Sequence, residues 1–499
     1  MNQTADLIII GAGVVGAMTA WRARHSGLRI VVIEQANDVS MGSTKANSGI
    51  IHGGYAEKSG LRGKLCYPGR LMYPELERAL NFGFRTTGSM ILAFSEDEAH
   101  GLEAILAQGR QNGVDDLELL TREQVMAMES EVNPAVSAAL WCRGAGIASP
   151  YELTIALMEQ AVEAGVRFFP STKVKAIDPD GGTDGGIRVT CEQGVSNQTV
   201  EFTAGHLVNA AGAGSGVVSA MLDDGDVRLT FRKGEYLLFR KGSGERINAV
   251  LFQMPTALGK GILVTSTVHG NLMIGPDAQN DTDPEDTATD VSSLATIFRE
   301  AMRSVPRIDP AHLIRTFSGV RAIDASGDFV IKPSSKHPRI IHAAGIQSPG
   351  LTAAPAIAEL VQQQLNDAGL PVSCSWVDAP RRPIYGPRNV PTPELKERIE
   401  LPKGTPHRIV CRCEQVSEAE ILDAMQRSLP VTSPDAVKRR TRAGMGWCQG
   451  QFCRPRVVEY LRDHALEAPG GILETEDVAH SGISRVRGDE FKKAIRELG

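Results

Sequence analysis

The stretch DLIIIGAGVVGAMTAWRARHSGLRIVVIEQA, residues 6–36, decides the fold of this chain. Its four apolar residues at 7–10 predict a buried strand, and the run of small residues at 14–25 predicts a helix that ends at Gly27. A second apolar strand at 29–33 then closes on an acidic residue. A strand, a tight turn, a helix and a second strand in this order are typical of a doubly wound α/β domain.

The turn between the first strand and the helix carries Gly11, Gly13 and Gly16 in Gly-x-Gly-x-x-Gly order. One glycine allows the sharp bend, one lets the backbone approach a diphosphate, and one lets the helix pack closely on the strand. The unpaired N–H groups at the start of the helix attract phosphates. Glu34, which ends the second strand, is placed to accept hydrogen bonds from a ribose 2′-hydroxyl and argues against a 2′-phosphate. Together these features predict a dinucleotide site.

Three later segments have the small residues that let a backbone approach a large flat ligand. They are residues 42–54, HLVNAAGAGS at 206–215, and RIIHAAGIQSPGLTAAPAIAELVQQQL at 339–365, where a helix is predicted from about residue 353. The start of that helix would stabilise the negative charge of a reduced flavin. Glycine-rich strand ends so far apart favour an extended cofactor, FAD, over NAD. The candidate contacts are Gly42, Ser43, Asn47, Ser48, Gly49, Val174, Ala211, Gly212, Gly345, Gly350, Leu351 and Thr352.

These features resemble a known group of flavoenzymes. Over residues 6–365 the chain is similar to the D-amino-acid-oxidase superfamily, in which glycerol-3-phosphate dehydrogenases are found. The segments NSGIIHGGYAEKSGLRGKLCYPG, FRKGEYLLF, MIGPDA and GVRA resemble bacterial L-2-hydroxyglutarate dehydrogenases, and FSGVR resembles the large subunit of anaerobic glycerol-3-phosphate dehydrogenase. The resemblance implies an FAD-dependent enzyme that oxidises the CH–OH group of a small anionic substrate, either a 2-hydroxy acid such as 2-hydroxyglutarate or glycerol 3-phosphate.

Oxidation of an alcohol needs a group that takes the hydroxyl proton and donors that hold the anionic end of the substrate. His52 lies in the segment expected beside the flavin, and an unperturbed histidine pKa of about 6.5 suits a general base. Its alternative role is a hydrogen bond to the flavin or the backbone. Arg321 in FSGVRAID is the candidate anchor for a substrate carboxylate, with a structural salt bridge as its alternative. Family resemblance favours Tyr236 in FRKGEY, whereas His269 is expected at the surface in a hairpin turn.

Four of the eight cysteines crowd into the last fifth of the chain, as Cys411-x-Cys413 and Cys448-x4-Cys453. This spacing fits a 2Fe–2S cluster better than the cysteine pairs of structural zinc sites. A zinc ion and an empty site are the alternatives. The segment RRTRAGMGWCQGQFC closely resembles the small 2Fe–2S domain related to bacterioferritin-associated ferredoxin.

Two further features surround these cysteines. Ser417 and Glu420 form a capping box that predicts the start of a helix. The basic run at 438–442 is expected either beside the anionic cluster or as a solvated face or partner contact.

The resemblance also implies a domain organisation. Strand-like runs such as VRLTFRKGEYLLFR, GILVTST and NLMIGP predict an antiparallel sheet in the region that covers the flavin. The implied parts are an FAD-binding α/β domain of Rossmann type (1–82, 143–215 and 315–370), an inserted α+β substrate domain (83–142 and 216–314), a proline-rich linker (371–406), a small helical 2Fe–2S domain (407–470) and a C-terminal tail (471–499).

Bulk properties exclude several classes of protein. The net charge of −6 gives no reason to expect nucleic-acid binding. No run of about 18 apolar residues predicts a membrane-spanning helix, so any membrane association would be peripheral and through a partner. The N-terminus does not have the pattern of a secretion signal, which favours a cytoplasmic location.

A cluster fused to a flavin domain indicates where the electrons go. An oxidase that reduces oxygen needs no relay, so the cluster favours a dehydrogenase that passes electrons to a separate acceptor, either a protein or a partner subunit. Oxidation of a CH–NH bond in an amine, opine or amino acid is an alternative, as is a non-catalytic electron-transfer or redox-sensing protein.

Overall fold

The computed structural model describes residues 2–57, 60–182, 185–194, 198–255, 261–281, 283–373, 380–382, 384, 408–467, 491 and 493–495. Most of the predicted linker at 371–406 and of the predicted tail at 471–499 lies outside the described residues. None of the helices in the described ranges is long and apolar enough to cross a membrane.

Strands and helices are interspersed as far as residue 163, and runs of consecutive strands follow. The strands are β1 (Asn2–Ile10), β2 (Ile30–Ile33), β3 (Ile50–Ile51), β4 (Phe84–Thr86), β5 (Ser89–Ala93), β6 (Leu117–Thr121), β7 (Ala138–Cys142), β8 (Gly146–Ala148), β9 (Arg167–Phe169), β10 (Thr172–Asp178), β11 (Ile187–Gln193), β12 (Gln198–Asn209), β13 (Leu229–Lys241), β14 (Val250–Gln253), β15 (Leu263–Ser266), β16 (Asn271–Gly275), β17 (Gln279–Asp281), β18 (Leu313–Asp324), β19 (Val330–Pro333), β20 (Ile340–Ala344), β21 (Ile409–Cys411) and β22 (Val416–Ser417). The α-helices are α1 (Val14–Ala23), α2 (Leu61–Leu71), α3 (Tyr73–Leu80), α4 (Glu96–Gln111), α5 (Arg122–Met128), α6 (Pro150–Glu163), α7 (Ser215–Met221), α8 (Val291–Ser304), α9 (Gly350–Asp367), α10 (Glu418–Met425), α11 (Pro434–Thr441) and α12 (Arg454–Glu467).

The first sheet is the doubly wound sheet that the opening stretch predicts. Its order is β10–β11–β12–β1–β2–β9, with β20 beside β12 and β19 beside β20. β1 runs parallel to both β2 and β12, since α1 carries the chain back across the sheet between β1 and β2. The continuous apolar run of β1 is buried on both faces, as a covered parallel sheet requires. Helices α1, α6 and α9 pack together on one face of this sheet.

The second sheet has nine strands and is mostly antiparallel. Its order is β17–β13–β16–β15–β14–β5–β7–β6, with β18 beside β13. Helix α8 covers it and shares its apolar core. Phe491, near the end of the chain, belongs to the same core and packs edge-on against Phe298 at 5.8 Å between ring centroids. The α/β fold with an antiparallel substrate-domain sheet is therefore confirmed.

A third, small sheet consists of β3, β8 and β4. His52 follows directly after β3, so the pairing of β3 in this sheet fixes the backbone position of the predicted base.

The last described domain is small and helical. The β21–β22 hairpin and helices α10, α11 and α12 enclose an apolar core that includes Cys411 and Cys453. The predicted capping box is confirmed, because Ser417 accepts from the backbone N–H of Glu420 while the Glu420 carboxylate accepts from the Ser417 N–H at 2.7 Å.

Candidate active site and cysteine centre

A cavity of about 1180 Å³ lies where the three domains meet. The glycine turn after β1, the segment 41–49, the end of β12, part of β18 and one side of α11 line it. Many of the predicted cofactor contacts share this lining. They are Gly11, Gly13, Glu34, Gly42, Ser43, Asn47, Ser48, Gly49, Val174, Ala211 and Gly212.

The glycine turn is built as its sequence requires. Gly11 has φ +100°, and a Cβ there would fall 2.4 Å from the carbonyl oxygen of Ala210. A Cβ on Gly16 would fall 2.0 Å from the carbonyl oxygen of Gly11, so only glycine lets α1 start this close to β1. Gly16 therefore serves helix packing and does not line the cavity.

Glu34 is fixed at the cavity edge by backbone N–H groups. Its carboxylate accepts from the N–H of Ala12 at 2.8 Å and from the N–H of Ala36 at 2.9 Å. Burial raises the pKa of Glu34, and these two donors oppose the rise. Glu34 lines the cavity, and its contact with a ribose hydroxyl stays a prediction.

The cavity has the features that a bound FAD needs. An added Cβ on Gly42 or Gly212 would meet no atom within 4 Å, so these backbones face open space. Ser318 is 4% exposed and lines the cavity, yet its hydroxyl has no hydrogen-bond partner in the described part of the protein. A buried hydroxyl of this kind fits a polar ligand in the cavity.

His52 is held just beyond the cavity wall. Its N–H donates to Thr352 Oγ1 at 2.9 Å, and its Nε2 lies 3.4 Å from Ser348 Oγ. Its ring lies 5.9 Å from that of Phe252, nearly parallel. The structure thus brings together the end of β3 and the start of α9, although 300 residues separate them.

The other predicted contacts lie near this point without lining the cavity. Gly350, Leu351 and Thr352 form the first turn of α9, which begins three residues earlier than predicted. Gly345 precedes that turn and packs against Asp324, which a Cβ would approach to 2.8 Å.

Arg321 and Tyr236 meet on the β13–β18 pair. Arg321 Nη2 donates to the carbonyl oxygen of Asp277 at 3.0 Å and also contacts the Tyr236 hydroxyl. Burial raises the pKa of Tyr236, and the Arg321 charge opposes the rise. Tyr236 stacks on Phe317, a cavity-lining residue, with 4.8 Å between ring centroids.

The prediction that His269 lies at the surface is wrong. His269 is in the predicted turn, but its Nε2 lies 2.9 Å from Glu152 Oε1 and its side chain lines the cavity. The sequence predicts the turn but not the partner of the His269 side chain, because Glu152 is 117 residues away.

The basic run at 438–442 is not the solvated face that was one of its expected settings, because its arginines are buried. Arg439 and Arg440 are buried and bind Asp38 of the FAD domain, with N–O distances of 2.7–2.9 Å. Burial alone would raise the pKa of Asp38, but the two guanidiniums hold it well below its usual range. Arg442 bridges Glu414 at 2.8 Å and Asn271 at 3.1 Å, and so joins the cluster domain to the substrate domain.

The cluster domain also forms part of the cavity wall, which the sequence does not indicate. Lys438, Arg439, Met445 and Gln449 all line it. Lys45, from the FAD-domain segment, faces the same region, and burial together with the nearby Arg439 charge lowers its pKa to about 8. Concentrated positive charge at the wall fits an anionic cofactor.

The four cysteines converge in two pairs. Cys411 and Cys453 are buried and are hydrogen-bonded to each other. Cys413 is exposed and is hydrogen-bonded to the half-buried Cys448. No three of these thiols lie within 4.8 Å of one another. Among the described residues, the group that meets this distance is Asp224, Asp226 and His342. A tetrahedral zinc ion with bonds of about 2.3 Å would draw its sulfurs to within about 3.8 Å. Two separate thiol pairs instead suit two metal atoms.

Backbone donors surround this centre. The N–H groups of Gly450, Gln451 and Phe452 point at the Cys448 sulfur, and that of Gly444 points at Cys411. Hydrogen bonds to sulfur are one means by which proteins set the potential of an iron–sulfur cluster.

Fold and site together define an FAD-dependent oxidoreductase with an iron–sulfur domain. Residues 6–364 match the family described as FAD dependent oxidoreductase, and residues 409–463 match the BFD-like [2Fe-2S] binding domain. The chain belongs to the FAD dependent oxidoreductase family. FAD and a 2Fe–2S cluster are its cofactors.

Three known proteins place the chain within that family. It is 40% identical over 459 residues to a glycerol 3-phosphate dehydrogenase from Caloramator mitchellensis, covering 91% of this chain and 93% of the relative. It is 27% identical to one of the subunits of the anaerobic glycerol-3-phosphate dehydrogenase of Escherichia coli K12, covering 92% and 88%. The solved L-alpha-glycerophosphate oxidase of Mycoplasma pneumoniae superposes with a TM-score of 0.68 at 28% identity, covering 73% and 95%.

A serine at Cys448 tests the ligand set. Because one of four sulfur ligands is lost, Cys448→Ser should drop the iron content from about two atoms per chain to near zero and abolish the cluster absorption. Iron analysis and visible spectra measure both. Cys66→Ala, at a buried cysteine of the FAD domain, is the control and should keep full iron. Full iron in Cys448→Ser would refute the four-cysteine assignment.

Proposed function

We propose that this protein oxidises the secondary alcohol of glycerol 3-phosphate to a ketone and passes the electrons through its 2Fe–2S cluster to a separate acceptor. The observation that carries the proposal is the Caloramator relative, a glycerol 3-phosphate dehydrogenase that aligns along 91% of this chain and so spans both the flavin and the cysteine domains. Such a match supports both halves of the reaction.

The residues of the site have roles that suit this reaction. Bound FAD supplies the acceptor for the hydride that leaves the alcohol carbon. His52 takes the hydroxyl proton on Nε2 as the C–O bond becomes a carbonyl, so one proton and one hydride leave the alcohol. Arg321 binds the phosphate, since a guanidinium offers two parallel donors to its oxygens. Tyr236, clamped against Phe317, keeps that guanidinium in place.

The route for the electrons follows one loop of the cluster domain. Met445 and Gln449 line the FAD cavity, and Cys448 lies between them in the sequence. The Tyr151 hydroxyl, from the FAD domain, contacts Met445 Sδ at 3.7 Å. One short segment, residues 445–449, thus contains both residues of the cavity wall and the predicted cluster ligand Cys448. A hydride brings two electrons, and a 2Fe–2S cluster held by the cysteines would supply one-electron transfer to the acceptor.

The test is anaerobic reduction of the purified holoenzyme. Glycerol 3-phosphate should bleach the flavin band at roughly 450 nm, whereas 2-hydroxyglutarate, lactate and proline should not. Bleaching by another member of this panel but not by glycerol 3-phosphate would overturn the substrate assignment. No bleaching by any of them, with FAD bound, would favour the electron-transfer or redox-sensing alternative.

Removing the Arg321 guanidinium should weaken substrate binding. A hydrogen bond to a charged group contributes about 1.5–3 kcal/mol, so Arg321→Ala should raise the apparent dissociation constant for glycerol 3-phosphate by about 10–150-fold. The measurement is the concentration dependence of flavin reduction in a stopped-flow instrument. Arg321→Lys should recover part of the affinity, because it restores the charge but not the two-donor geometry.

Arg232 provides a matched control. It faces Arg321 in the β13–β18 register, and its Nε donates instead to Asn280 Oδ1 at 3.3 Å. Arg232→Ala should leave the dissociation constant within about threefold. An unaltered constant in Arg321→Ala, with normal FAD content, would remove Arg321 from the substrate site.

A further inference from the structure

We propose that the surface around Trp447 and Phe452 is the docking site for the electron-acceptor protein, and that this protein presents an acidic rim around its own redox centre. The inference rests on the proposed role of the cluster as the electron exit. It specifies which face of the chain the acceptor meets and which charge it carries.

The first observation is the exposure of two aromatic side chains. Trp447 is 58% exposed and Phe452 is 80% exposed, and they are two of the few large apolar side chains in the described residues that face solvent. Each stands immediately before a cluster ligand, Trp447 before Cys448 and Phe452 before Cys453. Exposed aromatic pairs of this kind are the usual anchors of protein interfaces.

The second observation is that one of the two cysteine pairs is open to solvent. Cys411 and Cys453 are buried in the domain core, whereas Cys413 is exposed and Cys448 is half-buried. The pair Cys413 and Cys448 is therefore the edge nearest to solvent. Because the rate of electron transfer falls steeply with distance, transfer is fastest to an acceptor that docks at this edge.

The third observation is the sign of the exposed charges that flank the cysteines in the sequence. Arg412, between two ligands, and Arg456, in the first turn of α12, are both exposed. The acid next to Cys413, Glu414, is buried and bound to Arg442, so it does not offset them. On α12 the first exposed acid is Glu459, beyond the first turn. A basic rim on a chain with net charge −6 favours an acidic partner in one orientation.

The same charges argue against a second copy of this chain as the occupant. In a twofold symmetric contact the same surface meets itself, so the positive charges of Arg412 and Arg456 would lie on both sides of the contact. Like charges across an interface oppose association. The surface is therefore complementary to a separate acidic protein rather than to a second copy of this chain.

The experiment uses two redox proteins of opposite charge as probes, acidic plastocyanin and basic cytochrome c. Holoenzyme is reduced with dithionite, freed of excess reductant and mixed anaerobically with each probe, so no substrate is needed and the result is independent of the substrate assignment. Plastocyanin should be reduced at least tenfold faster than cytochrome c at low salt, and this preference should shrink as salt rises.

Two sets of variants locate the surface. The double variant Trp447→Ala, Phe452→Ala should slow plastocyanin reduction at least tenfold. Arg412→Glu, Arg456→Glu should do the same and should speed cytochrome c. Leu71→Ala, at a side chain 58% exposed on the FAD domain, is the control and should change neither rate. Iron content, the cluster spectrum and reduction of a small dye should match the unmodified protein in every variant.

Three results would overturn the proposal. One is plastocyanin reduction at the unmodified rate in both double variants. Another is faster reduction of cytochrome c than of plastocyanin by the unmodified protein. The third is a dimer, seen by light scattering, that the Trp447→Ala, Phe452→Ala variant abolishes, because a second copy would then cover this surface.

Discussion

Replacing His52 with glutamine should slow the reduction of bound flavin by glycerol 3-phosphate by about 10²–10⁴-fold, the usual contribution of a positioned general base. The hydroxyl proton must leave as the hydride leaves, and glutamine cannot take it. The main-chain bond from the His52 N–H to Thr352 Oγ1 does not involve the ring, so the segment should keep its position in the variant. The measurement is single-turnover flavin reduction under anaerobic conditions.

A pH profile separates the base role from a merely structural one. In the unmodified protein the rate should rise as histidine loses its proton, and His52→Gln should lose that step. His100→Gln, at an exposed histidine of α4, is the matched control and should retain both the rate and the step. A reduction rate within threefold of the unmodified protein in His52→Gln would show that another group takes the proton.

Replacing Asp38 with asparagine should release the cluster domain from the FAD domain. The change leaves the buried charges of Arg439 and Arg440 without their anion, and breaking a buried ion pair on one side costs about 3–5 kcal/mol. Because α11 also lines the cavity, we expect faster loss of FAD as well as earlier unfolding of the cluster domain in urea. Flavin fluorescence on release and the cluster absorption report the two events separately.

The pH dependence of this contact follows from the same charges. The pKa of Asp38 is lowered in the folded protein, so its stabilising effect is complete above the unfolded pKa of about 3.9 and is lost as the pH falls toward the folded value. The difference between Asp38→Asn and the unmodified protein should therefore be constant from pH 6 to 8 and shrink in strong acid. Asp97→Asn, at an exposed acid of α4, should behave like the unmodified protein. Unchanged FAD release in Asp38→Asn would show that α11 does not support the cofactor.

The alternation of side chains along FRKGEY left open which residues face the active site. The register separates two faces: Tyr236 lies opposite Phe317 and reaches Arg321, whereas Lys233 is on the other face and binds Asp286. Period-two patterns identify a strand but not which of its faces is inside, and only the neighbouring strand decides that.

By itself the sequence determined the turn at Gly11, the acid that ends β2 at Glu34 and the two cysteine pairs of the 2Fe–2S domain, since each depends on bond geometry and spacing over a few residues. Only the tertiary structure decided that Asp38 meets Arg440, 402 residues away, and that the cluster domain closes the flavin cavity. The basic run looked like a solvated face because a charge pattern does not record its partner. A buried guanidinium needs partners that offset its charge, and the carboxylate of Asp38 meets Arg439 and Arg440 only once the domains have packed.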